Sequence, residues 1–316
     1  MVAIDSTFQR ELWRWGPSGT GVVTSLAEAN AYCRRLCQQH YENFAVASWF
    51  LPKRYRQDFA TIYAFCRWSD DLADEVGDAT QSLKLLDWWQ QQLRDCFQTD
   101  ISPTHPVMVS LRCTVNRHQM VIDPFEDLLR AFRQDQTQNR YTTRDELKDY
   151  CRGSANPVGR LVLRMADADS SDNILLSDCI CTGLQLANFC QDMAVDARMN
   201  RIYAPADLMA AHQVTESMIL QCKFRPELAN MLISWCNEAR EILVSGKNLL
   251  KSVPTWLRRD VDLFVRGGLA ILDAIGNQGF DVWTTRPRVS KLTKLKLVLQ
   301  MAWLCGCPAP ERSAKS

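Results

Sequence analysis

Apolar residues recur along this chain at three- and four-residue spacing, and no run alternates apolar and polar residues with a period of two between turn pairs. The pattern predicts helix after helix. Ser25-Leu26-Ala27-Glu28 is a capping box, in which serine takes an early backbone N–H and glutamate reaches back, and it opens a helix running towards His40. Pro52 suits the first turn of a long helix through Glu75, where its missing N–H costs little. Thr143-Arg144-Asp145-Glu146 is a second capping box, and Asn156-Pro157 pairs a cap residue with a first-turn proline. Leu175 to Arg198 and Pro226 to Leu250 read as two further long helices. Gly16-Pro17-Ser18-Gly19-Thr20-Gly21 breaks helix, so residues 1–22 are expected to form a flexible N-terminal arm. Residues 23–305 are expected to form one all-α domain, and residues 306–316 a loose C-terminal tail.

Composition narrows the function classes. With 316 residues, 47% of them hydrophobic, the chain has ample material for a core, and only 13 glycines agrees with helix. Lysine plus arginine (37) nearly cancels aspartate plus glutamate (36), which argues against a general affinity for nucleic acid. The 13 cysteines include no CxxC pair, so zinc ribbons and redox motifs are unsupported. They read as reduced, small apolar core residues of a cytoplasmic protein. The charged start, Met1 to Arg14, does not read as a secretory leader. No uncharged apolar run reaches the ~18 residues that span a bilayer, and the longest candidate, Leu297 to Cys307, is too short. A peripheral membrane contact stays open. Arg286, Arg288, Lys291, Lys294 and Lys296 accompany Leu292, Leu295, Leu299 and Trp303 in a basic amphipathic stretch, which reads either as an interfacial segment or as a last helix packed on the core.

Two polar stripes carry the chemistry. Tyr63, Arg67, Asp70 or Asp71, and Asp74 advance by three or four, so they stack on one face of the helix after Pro52. Gln185, Asn188, Asp192 and Asp196 do the same among the apolar residues Leu184, Leu186, Ala187, Phe189 and Met193. Taken alone, the first stripe also fits a solvated face, and the second a buried hydrogen-bond network. Two DxxxD pairs together point further. Carboxylates one turn apart repel, and burying them is costly, so a cation must compensate. Oxygen donors without histidine or cysteine suit Mg²⁺, which completes its shell with water and phosphate oxygens. The metal-ligand candidates are Asp70, Asp71, Asp74, Asp192 and Asp196, and the expected ligand is a diphosphate held through more than one Mg²⁺.

Tyr63-Ala64-Phe65-Cys66-Arg67-Trp68-Ser69-Asp70-Asp71-Leu72-Ala73-Asp74-Glu75 resembles the first aspartate-rich motif of the squalene/phytoene synthases. Gln185-Leu186-Ala187-Asn188-Phe189-Cys190-Gln191-Asp192-Met193-Ala194-Val195-Asp196, followed by Arg201-Ile202-Tyr203, resembles the second. The resemblance runs from about His40 to Lys296. It implies a single-domain isoprenoid synthase fold, with helices around a central cavity and two facing aspartate motifs. Within the family, His40 to Ser48, Ser154 to Leu161 and Gln191 to Asp196 look most like the bacterial hydroxysqualene synthases of hopanoid pathways. One departure is Met199-Asn200, where a basic/Gly pair is usual.

That resemblance implies a long-chain prenyl diphosphate substrate and its Mg²⁺-assisted ionisation, with Asp70, Asp74, Asp192, Asp196, Tyr63 and Arg67 as catalytic residues. For a hydroxysqualene synthase it implies that presqualene diphosphate ionises, rearranges and captures water, with no NADPH. Substrate-binding candidates are Tyr41, Asn43, Tyr150, Gln185, Asn188, Arg201, Tyr203 and Arg288. The residue that holds the attacking water stays open among Tyr41, Asn43, Tyr63, Tyr150, Gln185 and Asn188. Phe44, Phe65 and Phe189 are candidates for an apolar wall or for plain core. Two alternatives remain: a head-to-head synthase making presqualene diphosphate, dehydrosqualene or phytoene, and a non-enzymatic assembly factor of the same fold. Pathway neighbours are expected as partners.

Overall fold

The structure, a computed structural model, describes residues 7–21, 25–39 and 51–289. Among them the chain is all-helical, without strands. The first half comprises α1 (Thr7–Trp15), α2 (Leu26–Gln39), α3 (Lys53–Asp74), α4 (Ala79–Phe97), α5 (Pro106–His118) and α6 (Asp123–Gln134). It continues through α7 (Arg144–Ser154), α8 (Asn156–Met165), α9 (Ser171–Arg198), α10 (Ala206–Ala211) and α11 (Glu216–Leu220). The last elements are α12 (Pro226–Ser245), a 3₁₀ segment (Gly246–Lys251) and α13 (Thr255–Asn277).

Cap chemistry sets the helix starts. Ser25 Oγ accepts from the Glu28 N–H at 3.3 Å, and Thr143 Oγ1 from the Glu146 N–H at 3.1 Å. Glu146 reaches back to the Thr142 N–H at 2.6 Å. Helix α9 begins earlier than Leu175 because the Ser170 hydroxyl caps the Asn173 N–H.

The expectation of a flexible arm is corrected over Thr7–Trp15, which is helical. Phe8 is buried edge-on against Trp68, 5.3 Å between ring centroids, and Tyr32 donates to Glu11 at 2.8 Å. The glycine-rich stretch acts as a stop: α1 ends at Trp15, and the Gly16 N–H bonds back to the Leu12 carbonyl.

Two packed halves hold the helices that carry the motifs. In the first, α3 sits among α2, α4, α5 and α6. Its Phe65, Trp68 and Leu72 are fully buried, each worth roughly 1.5–3 kcal/mol relative to exposure. The Trp68 indole donates to the Tyr32 hydroxyl at 2.9 Å, and Trp89 to Ser69 Oγ at 3.0 Å. These contacts fix the rotation of α3, so Asp70 and Asp74 point the other way. In the second half, α9 packs against α8, α12 and α13. Gly183 is required there: a Cβ would stand 2.7 Å from Leu243 Cα, on the backbone of α12.

Candidate active site

Helix α3 contributes the first motif. Arg67 Nε donates to Asp71 Oδ2 at 3.0 Å, and the same guanidinium lies 3.5 Å from Asp70 and 3.2 Å from Glu75. Asp70 and Asp74, one turn apart, line a cavity of about 280 Å³. Burial, reinforced by the Asp74 carboxylate, pushes Asp70 up to about 6.

Helix α9 contributes the second motif across the cavity. Gln185, Asn188 and Asp196 line it, and Asn188 Nδ2 donates to Asp192 Oδ2 at 2.8 Å. Burial and the Asp192 charge push Asp196 up to about 7. At the rim, Arg286 Nη2 donates to Asp192 Oδ2 at 3.0 Å. Gln191 makes this possible: its amide holds the Pro287 carbonyl at 2.7 Å, so the segment after α13 lies on α9.

The turn after α9 links the motifs. Asn200 adopts a left-handed backbone (φ 56°), which asparagine tolerates where glycine would otherwise serve. Its carbonyl and side chain are held by Arg140 at 2.8 and 3.0 Å. Arg201 then reaches Asp74 Oδ1 at 2.8 Å, a hydrogen bond that raises the arginine's pKa further. Tyr203 stacks on Phe189 at 4.1 Å, and both face the cavity. Such rings can stabilise a passing cation.

The cavity brings together Asp70, Asp74, Asp196, Arg201, Gln185 and Asn188, with Tyr150 and Tyr203 on its wall. Asp192 and Arg67 adjoin it, Asp192 through the hydrogen bond from Asn188 and Arg67 through its ion pair with Asp70. Tyr63 is half-buried on α3, and burial raises its pKa to about 12, so it remains a neutral phenol. Tyr41, Asn43 and Phe44 lie outside the described residues. Asp71 and Arg288 stand apart from the cavity lining. Asp71 is buried against Arg67 and does not line the cavity, because the core contacts of Trp68 and Ser69 turn it away. Arg288 is exposed, and Arg286 is the arginine that meets the second motif. Phe65 is plain core, packed on Trp89 and Phe125.

Asp135 and Ser154 are cavity residues that sequence reasoning missed. Asp135 follows α6 without a patterned partner, so no spacing marks it. Burial pushes it up to about 7, against the Tyr150 hydrogen bond and the nearby Arg201 charge.

Among the described residues, the cavity's metal-binding atoms are oxygens, and its lining holds neither histidine nor cysteine. Among the described residues, no group of three or more His, Cys, Asp or Glu side chains is poised to hold a metal alone. The aspartates are drawn to Arg67, Arg201 and Arg286 instead. That donor set fits Mg²⁺, which takes one or two carboxylates and shares its shell with water and phosphate.

An all-helical bundle with two aspartate motifs facing one cavity defines the isoprenoid synthase class. Residues 37–293 match the squalene/phytoene synthase family. The chain is 34% identical over 227 residues to a hydroxysqualene synthase of Sinorhizobium fredii, covering 71% of this chain and 76% of that one. It is 29% identical over 276 residues to a phytoene synthase of Arthrospira platensis, covering 83% and 89%. The crystal structure of squalene synthase HpnC from Alicyclobacillus acidocaldarius superposes with a TM-score of 0.77 at 36% identity, over 82% of this chain and 97% of that one. The chain belongs to the squalene/phytoene synthase family, whose members process prenyl diphosphates.

Proposed function

We propose that this protein is a hydroxysqualene synthase, a lyase that converts presqualene diphosphate and water to hydroxysqualene and diphosphate in squalene and hopanoid biosynthesis. The observation that carries the reading is the convergence of both aspartate motifs on one cavity, with Arg201 spanning from the second motif to Asp74. Asp70 and Asp74 on one side, and Asp192 and Asp196 on the other, would hold Mg²⁺. Bound there, it would supply charge neutralisation for the departing diphosphate. Arg67, Arg201 and Arg286 add guanidinium donors for the diphosphate oxygens. Phe189, Tyr203, Leu128 and Phe132 shield the cation, and Gln185, Asn188 and Tyr150 offer polar contacts for a water. The choice of the alcohol over a hydrocarbon is supported by that polar wall and by the relatives called hydroxysqualene synthases.

The same reading places the protein in the cytoplasm, with peripheral contact to a bilayer through the basic stretch beginning at Arg286. Its larger part lies outside the described residues. No described helix is long and apolar enough to cross a membrane. Salt-sensitive co-sedimentation with anionic vesicles, lost when Lys291, Lys294 and Lys296 become glutamate, is the expected behaviour.

Product analysis by mass spectrometry after incubation with presqualene diphosphate and Mg²⁺, without NADPH, tests the function. Hydroxysqualene is expected. Consumption of a C15 or C20 diphosphate with no turnover of presqualene diphosphate would assign a head-to-head synthase instead, and no diphosphate release at all would leave a non-enzymatic role.

A further inference from the structure

Two polar atoms on one wall of the cavity are not accounted for by diphosphate binding. The Tyr150 hydroxyl donates to Asp135 Oδ2 at 2.9 Å. Asp135 Oδ1 is buried and has no hydrogen-bond partner among the described residues, and the same holds for Ser154 Oγ. Tyr150 and Ser154 stand one turn apart on α7, hence on one face, and Asp135 approaches that face from the end of α6. All three line the cavity that Asp70, Asp74 and Asp196 border.

A buried polar atom left unpaired forfeits its hydration without a compensating bond. Two on the wall of a substrate cavity therefore call for a function. A carboxylate repels phosphate oxygens, so this corner does not suit the diphosphate. It suits a small neutral donor: Asp135 accepts a hydrogen bond, and a serine hydroxyl accepts or donates one. Water has that chemistry.

We propose that Asp135 is the catalytic base for water capture, with Ser154 seating the water and Tyr150 orienting the carboxylate. The inference rests on the hydroxysqualene synthase reading. Diphosphate has already left with the pair of electrons of its C–O bond. A lone pair of the water then forms the new C–O bond at the cationic carbon. One O–H bond of the resulting oxonium breaks, its electrons stay on oxygen, and the proton passes to Asp135 Oδ1. The products are the alcohol and a neutral carboxylic acid, which returns its proton to solvent as the alcohol departs.

The test measures diphosphate release and the alcohol-to-hydrocarbon ratio from presqualene diphosphate and Mg²⁺, in wild type, Asp135→Asn and Ser154→Val. Asparagine keeps an acceptor for Tyr150, so native helix content is expected. Diphosphate release should stay near wild type in Asp135→Asn while the product ratio falls roughly a hundredfold, the usual scale of a lost general base. Ser154→Val should shift the ratio in the same direction. An unchanged ratio in folded Asp135→Asn overturns the proposal. So does a loss of diphosphate release in proportion to the alcohol, since the residue would then act in ionisation. If Asp135→Asn does not fold, an unchanged ratio in Ser154→Val overturns it. A wild-type enzyme that releases diphosphate yet forms no alcohol overturns the functional reading and this proposal together, whereas an unchanged variant ratio with normal wild-type alcohol overturns the base alone.

Discussion

Arg201 ties Asp196 to Asp74: its backbone N–H donates to the Asp196 carbonyl at 2.9 Å, and its guanidinium donates to Asp74 Oδ1 at 2.8 Å. One residue thus spans both aspartate motifs, anchored by its main chain on one and by its side chain on the other. Arg201→Ala is expected to lower diphosphate release by roughly 10²-fold or more, the scale for removing one charged donor from a transition state. The ion pair is partly exposed and contributes little to folding, so the melting temperature should barely move. Steady-state rates and a melting curve on the same sample check both halves.

Asp70→Ala and Asp192→Ala should each abolish turnover while leaving helix content intact. Asp70 faces Asp74, and Asp192 faces Asp196, so without a bound cation each carboxylate is repelled by its neighbour. Circular dichroism and a diphosphate-release assay decide it. Near-wild-type turnover in either variant contradicts the metal-clamp assignment.

Mg²⁺ with a non-hydrolysable diphosphate analogue should raise the melting temperature. The clustered carboxylates are fully neutralised only in the bound state, and a ligand at about 100 times its Kd adds roughly 2.7 kcal/mol. Thermal unfolding with each component alone and with both together tests this. The combination should exceed either alone.

Gly183→Ala should destabilise the fold by roughly 1–3 kcal/mol through overpacking. An alanine inside a helix normally helps by up to about 1 kcal/mol. Here its Cβ would meet the Leu243 backbone at 2.7 Å, where no side chain can move aside. Urea unfolding gives the sign directly, and a stabilised variant would mean that α9 and α12 pack less closely.

Asp260 is expected to give stability a pH dependence. It is 3% exposed, its carboxylate oxygens have no hydrogen-bond partner among the described residues, and burial pushes it up to about 7, with only the neighbouring Arg259 charge acting against this. The unfolded chain releases this proton near pH ~4. Between those values the folded state binds more protons, so this residue's contribution falls as pH rises from about 4 to 7, by up to ~1.4 kcal/mol per pH unit. Asp260→Asn should remove that slope. Stability measured at several pH values, as wild type minus variant, isolates it. A constant difference across the range refutes the assignment.

Local signals were legible in the chain itself. Ser25, Thr143 and the two DxxxD pairs act over three or four residues, a distance at which helix geometry alone places side chains together. All-α architecture, both motifs and most of the cavity's polar lining follow from such spacing and from the family resemblance it supports. Tertiary packing decided the rest. Asp70 rather than Asp71 lines the cavity because buried Trp68 and Ser69 set the rotation of α3, and periodicity cannot choose between adjacent positions. Phe8 docks on Trp68 across 60 residues, so a segment that reads as a loose arm folds as α1. Arg286 meets Asp192 from 94 residues away, placed by the Gln191–Pro287 hydrogen bond, and Asp135 reaches the cavity only through the packing of α6 and α7. Side chains brought together by chain reversal leave no period in the sequence, since their spacing is set by the core between them.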